Sequence, residues 1–123
     1  MASAPHRSAI VYKIFRADEW AAASRDGFFK GSPDDLRDGF VHLSAPHQVA
    51  GTAARHFRGQ PGLVLASIDV AMLGAGLRWE ASRGGEPFPH LYDVLDLKSV
   101  RNATPLELGA DGVPMVPRDL PEC

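Results

Sequence analysis

Cysteine is almost missing: of 123 residues only the last, Cys123, is one. A lone thiol excludes an internal disulfide framework and any cysteine-rich zinc centre. Long apolar runs are missing too. No stretch approaches the ~18 apolar residues of a membrane-spanning helix, and Met1-Ala2-Ser3-Ala4-Pro5-His6-Arg7 lacks the apolar core of a secretory signal. Nor does either charge dominate: 13 Lys and Arg stand against 15 Asp and Glu, a net charge of −2. Such a balance gives no strong field for nucleic acid or an anionic membrane. Lysine is scarce, three against ten arginines, a matter of genome composition more than of function. These lacks predict a soluble cytoplasmic protein, and no pattern sets an oligomeric state. What is there is one domain's worth of chain, 1–123, with 45% hydrophobic residues. That is enough to bury a single core without staples.

Residues 1–8 are small and polar and read as a loose arm. Residues 9–15 are β-branched and aromatic, a buried strand. A short helix opens at Ala17 or Asp18 and stops at Gly27. The dense Gly, Ser, Pro and Asp cluster of 27–38 reads as a loop. Residues 40–44 form a strand with Phe40, His42 and Ser44 on one face and Val41 and Leu43 on the other. Ser44 is placed to cap the next helix, with Pro46 in its first turn. Val49, Ala50, Ala53, Ala54 and Phe57 make that helix's apolar stripe. Gln48, Thr52, Arg55 and His56 fall away from it, and Gly59 ends it. Residues 63–69 are apolar on both faces, as a central strand is. Residues 77–80 read as another strand, 81–89 as a loop, 90–92 and 94–97 as short extended pieces, and 98–108 as a last strand. The tail from about 110, with Pro114, Pro117 and Pro121, is expected to pack loosely. Strands outnumber helices and the helices come early, which predicts an α+β fold.

Three clusters carry residues suited to chemistry. In Asp38-Gly39-Phe40-Val41-His42-Leu43-Ser44, His42 and Ser44 share a strand face and suit a polar ligand; equally, Ser44 is a helix cap and His42 a packed core residue. In Trp79-Glu80-Ala81-Ser82-Arg83-Gly84-Gly85, the glycines let backbone approach a ligand and Arg83 offers a fork for phosphate or carboxylate; an ordinary turn is the alternative. In Phe88-Pro89-His90-Leu91-Tyr92, His90 and Tyr92 share a face and suit a base or ribose, or belong to the core. His42, His47, His56 and His90 lack metal-site spacing, so no metal is expected. Ser44 lacks the Gly-x-Ser-x-Gly elbow of a hydrolase nucleophile, and no phosphate-loop or dinucleotide fingerprint occurs.

Taken together with Tyr12 and Trp20, Gly31-Ser32, Gln48-Val49, Thr52-Ala53 and His56-Phe57, these clusters resemble the small bacterial family known as domain of unknown function 952. The resemblance runs from about residue 9 to 101. It implies a place in the ADP-ribosylation superfamily: two small bent sheets with a cleft between them and flanking helices. Superfamily members mostly bind NAD and transfer ADP-ribose. A related branch removes a 2′-phosphate from RNA. The resemblance therefore implies NAD or another ADP-ribosyl or phosphorylated nucleotide as ligand, handled by an enzyme or by an inactive sensor of the same fold. It also implies roles. His42 or Tyr12 would anchor the ribose, Ser44 would support it, and Glu80 would be the late catalytic carboxylate beside a catalytic His42. Arg83 would hold the pyrophosphate next to Gly84 and Gly85. His90 and Tyr92 would surround the nicotinamide, and Gln48 would line the cleft. The superfamily's usual Glu-x-Glu or Gln-x-Glu is absent here, and Glu80 precedes the Arg-Gly-Gly loop.

Overall fold

A computed structural model describes residues 8–122. The arm at 1–8, except for Ser8, and Cys123 thus lie outside the described residues, as does the side chain of Arg83.

β1 (Ile10–Phe15) is buried throughout. Its alternation serves two cores. Val11 and Phe15 enter one apolar cluster, while Ile10, Tyr12 and Ile14 enter a second on the other face. α1 (Ala17–Asp26) follows, its start tied by Arg16 N–H donating to Glu19 Oε1 at 2.9 Å. Gly27 ends it at φ 85°, donating its N–H to Ala23 O at 2.7 Å. This is the left-handed turn that glycine adopts without side-chain strain.

The stretch 27–38 is not a loop. It contains β2 (Phe28–Phe29) and α2 (Pro33–Asp38). Pro33 opens α2, and Ser32 and Asp35 cap it reciprocally. Ser32 Oγ accepts from Asp35 N–H at 3.2 Å, and Asp35 Oδ2 accepts from Ser32 N–H at 2.9 Å. The turn-forming residues are a helix start signal here, and six residues are too few to show a helical period.

β3 (Val41–His42) is shorter than the expected strand. Val41 and Leu43 still point into the first cluster. Ser44 leaves β3 and bridges the edge of β1: Tyr12 N–H donates to Ser44 O at 2.8 Å and Ser44 N–H to Tyr12 O at 2.9 Å. A 3-10 turn, Pro46–Gln48, leads into α3 (Val49–His56). Ser44 does not cap it. Ala45 holds that position, and Gln48 Oε1 accepts the Ala45 N–H at 2.8 Å. Gln48 is therefore buried, not on the open face. Val49 and Ala53 form the buried stripe.

β4 (Leu63–Asp69), β5 (Leu77–Ala81), β6 (Pro87–Leu91), β7 (Leu95–Asp96) and β8 (Val100–Leu106) complete the strands. β4 is central in the antiparallel order β1-β4-β8, as its two-faced burial predicts. β3-β6-β5 form a second antiparallel sheet and β2-β7 a two-stranded ribbon. The expected loop at 81–89 shrinks, because β6 already starts at Pro87. β6 is the middle strand although it holds Pro87 and Pro89; Pro89, with no N–H to give, still accepts the Leu43 N–H at 3.1 Å.

The tail does not pack loosely. Met115 N–H donates to Glu107 O at 2.8 Å, Gly59 N–H to Gly112 O at 2.7 Å and Ala9 N–H to Glu122 O at 2.8 Å. Val116 and Leu120 cover the second cluster. That face of β1 and β4 needs more cover than α3 supplies, and burying it offsets the cost of ordering the tail. The whole is a mixed α+β fold of small antiparallel sheets and few helices. Among the described residues no helix is long and apolar enough to cross a membrane.

Candidate functional site

β1 and β3 are joined through the Tyr12–Ser44 bridge, and beside it opens a cleft of about 330 Å³. Its wall includes Lys13 of β1, Asp35 and Asp38 of α2, His42 of β3, Thr52 of α3 and His90 of β6. α2, missed in the sequence, supplies the centre of the arrangement.

Asp35 is almost fully enclosed, with 2% of its side chain exposed. Its Oδ1 accepts the His42 backbone N–H at 3.1 Å and meets His42 Nδ1 at 2.7 Å. Its Oδ2 caps α2 and lies 3.4 Å from the Lys13 ammonium. Lys13 Nζ in turn donates to His42 O at 3.1 Å. One carboxylate and one ammonium thus clamp the backbone and ring of His42. Burial works against the charge on Asp35. The His42 ring, Lys13 and the Ser32 and His42 amides outweigh it and hold the carboxyl well below the usual carboxylate range. At its other nitrogen, His42 Nε2 lies 3.0 Å from Asp38 Oδ2.

Ser44 Oγ and Thr52 Oγ1 pair at 3.3 Å on the adjoining wall. Tyr12 also lines the cleft, but its hydroxyl donates to Pro121 O at 2.8 Å and is committed to the tail. Burial pushes that phenol's pKa up. Behind the wall, Phe40 stacks on His90 at 4.0 Å and tilts against His42 at 4.5 Å and Tyr92 at 5.2 Å.

The cleft thus brings together four of the expected residues: Tyr12, His42, Ser44 and His90. Glu80 does not join them on the wall. It lies behind His90, where its Oε1 meets His90 Nδ1 at 2.8 Å and accepts from the Tyr92 hydroxyl at 2.7 Å. These two bonds hold the Glu80 carboxyl below its ordinary value. Tyr92 lies one residue past the end of β6, and its hydroxyl meets the same Glu80 oxygen as the His90 ring. Gln48 is turned inward, its Nε2 donating to Pro87 O at 2.8 Å. Gly84 and Gly85 adopt φ 69° and 80° in an exposed turn with open space where a side chain would stand. They serve the turn rather than a close approach. Arg83 sits in that turn, one residue after the cleft-lining Ser82.

Sequence reasoning missed Lys13 and Asp35, and placed Asp38 in a cluster without giving it a role. One signal was present: a lysine inside a strand expected to be buried demands a counter-charge. The Ser32-x-x-Asp35 spacing marked the cap that positions that counter-charge. No cluster of three or more His, Asp or Glu side chains suited to a metal occurs among the described residues. Chemically, the cleft offers imidazoles held by carboxylates and a pair of hydroxyls, a set suited to hydroxyl recognition and proton transfer.

None of the curated proteins compared with the chain matches it. Among solved structures, the crystal structure of protein CC0527 from Caulobacter crescentus shares 52% identity and superposes with a TM-score of 0.84. The match covers 86% of this chain and 93% of that one. The solution NMR structure of CC0527 also shares 52% identity, with a TM-score of 0.78 over 86% of this chain and 91% of that one. The family described as "Protein of unknown function (DUF952)" matches residues 14–103. The chain belongs to that family.

Proposed function

We propose that the cleft binds the ribosyl portion of NAD or of a related ADP-ribosyl or phosphorylated nucleotide, on an ADP-ribosyltransferase-like scaffold. The observation that carries this reading is His42, held in one orientation by Asp35 and Lys13 on the cleft wall beside the Ser44 and Thr52 hydroxyls. A fixed imidazole next to small hydroxyls suits the vicinal diol of a ribose, and preorganisation lowers the entropic cost of holding it. A volume of about 330 Å³ lies near the low end for small-molecule sites, about 300–1,000 Å³. It suits one nucleoside unit at a time. His42 anchors the ribose and Ser44 supports it. His90 borders the base or nicotinamide, and the turn that carries Arg83 follows the cleft-lining Ser82.

A second reading, binding without ADP-ribosyl transfer, is favoured by the placement of Glu80. A carboxylate already bonded to His90 and Tyr92 behind the wall is poorly placed to steady a developing ribosyl cation.

Calorimetric titration with NAD, ADP-ribose and a 2′-phosphorylated nucleotide tests the proposal. At least one is expected to bind more tightly than about 1 mM, roughly −4 kcal/mol, and to lose binding in His42→Ala. Failure of all three at that concentration overturns it. Release of nicotinamide from NAD separates transfer from binding alone.

A further inference from the structure

His42 in β3 stands directly opposite His90 in β6. Both line the cleft, with ring centroids 5.7 Å apart. Each is held at Nδ1 by a carboxylate, Asp35 at 2.7 Å and Glu80 at 2.8 Å. Their second nitrogens differ. His42 Nε2 meets a second carboxylate, Asp38 Oδ2, at 3.0 Å. A carboxylate thus faces each of its nitrogens, the setting of a ring that gives protons. Glu80 accepts from Tyr92 as well as facing His90. His90 Nδ1 and the Tyr92 hydroxyl converge on the same Glu80 oxygen, and among the described residues no carboxylate faces His90 Nε2.

We infer that His42 and His90 are a proton-donor and proton-acceptor pair, and that the cleft hydrolyses a small cyclic phosphodiester of ribose, a ribonucleoside 2′,3′-cyclic phosphate. The inference rests on the ribosyl-binding reading and goes beyond it in naming a reaction. Displacement at phosphorus needs one proton removed from the attacking oxygen and another delivered to the leaving oxygen. Two imidazoles across one cavity meet that need without a metal or co-reactant. His90 Nε2 takes a proton from water as the water oxygen bonds to phosphorus. The bond from phosphorus to the ribose 2′ oxygen breaks, and His42 Nε2 gives its proton to that oxygen. Water and the cyclic diester become the 3′-monoester, and solvent restores the two rings. The Ser44 and Thr52 hydroxyls offer donors for the non-bridging oxygens. The cavity volume and a net charge of −2 favour a single nucleotide over a polymer.

The test incubates the full chain with 2′,3′-cyclic AMP and follows phosphorus by NMR, which resolves the cyclic diester from the monoester. Monoester is expected to accumulate, at a rate falling at least about 100-fold in His42→Ala and in His90→Gln. Nitrogen-15 spectra of the wild-type imidazoles give a readout that does not depend on either variant folding. Two N–H groups are expected on His42, and one on His90, at Nδ1. A His90 proton found on Nε2, or turnover unchanged in His42→Ala, overturns the inference. Calorimetric binding of 2′,3′-cyclic AMP without turnover also overturns it, while leaving the ribosyl-binding reading in place. Absence of both binding and turnover overturns the inference, and the ribosyl-binding reading falls with it only if NAD, ADP-ribose and the 2′-phosphorylated nucleotide fail to bind as well.

Discussion

Asp35 joins three elements through one side chain. It caps α2 at Ser32, clamps His42 of β3 by amide and ring, and balances the buried Lys13 of β1. Replacing its charge strands an ammonium with only 7% of its side chain exposed. Asp35→Asn is therefore expected to cost about 3–5 kcal/mol of stability at neutral pH, the range for breaking one side of a buried pair. The midpoint of urea unfolding measures it. Removing Lys13 in the same chain, as Lys13→Met, should recover part of the loss, because the two changes remove one interaction. The acid limb follows from the same group. The folded carboxyl lies below its unfolded value of about 3.9. Its stabilisation is thus complete above that value and is lost as pH falls through the lower, folded one. Wild-type thermal stability should drop as pH falls below about 4, and Asp35→Asn should drop less over the same range. Parallel acid limbs would show that Asp35 is not the ionised partner described here. The sequence held half of this. A lysine amid Val11 and Phe15 announced a buried charge; its partner, on an element read as loop, stayed hidden.

The elements that position the site differ in how openly the sequence declares them. β1 and β4 are long enough for two-faced apolar runs, and α1 ends on a glycine with nothing to stop its φ of 85°. α2 is six residues and declares itself only through its cap. Its approach is also the tightest glycine position in the fold. Gly31 has φ 135°, and a Cβ there would stand 2.9 Å from Asp35 Cβ. Gly31→Ala should cost about 1–3 kcal/mol through backbone strain alone, read from denaturant unfolding. It should also push Asp35 away and shift the His42 amide resonance, which a purely local strain would leave in place. The Ser44 cap failed as an expectation for a related reason. A serine before a helix normally caps it, but here the β1 edge took the Ser44 backbone and Gln48 served the cap.

For the whole molecule, strand register decides what meets what, and register is not local. His42 faces His90 because β3 pairs with β6, and Glu80 backs His90 because β5 pairs with β6 on the other side. The sequence named His42, His90, Tyr92 and Glu80 without fixing that arrangement or the side to which Glu80 turns. The tail was misread for the same reason. Its prolines look like loose chain, yet Glu122 and Pro121 return to Ala9 and Tyr12 at the start of the fold. What composition and alternation did carry was the class: an α+β fold with its helices early in the chain. The most direct test of the central claim is a titration of nitrogen-15-labelled protein with ADP-ribose, followed by amide shifts. The account predicts saturable shifts concentrated at Lys13, His42, Ser44 and Thr52 around the cleft, and their loss in His42→Ala. Shifts gathered elsewhere, or none up to about millimolar ligand, would contradict it.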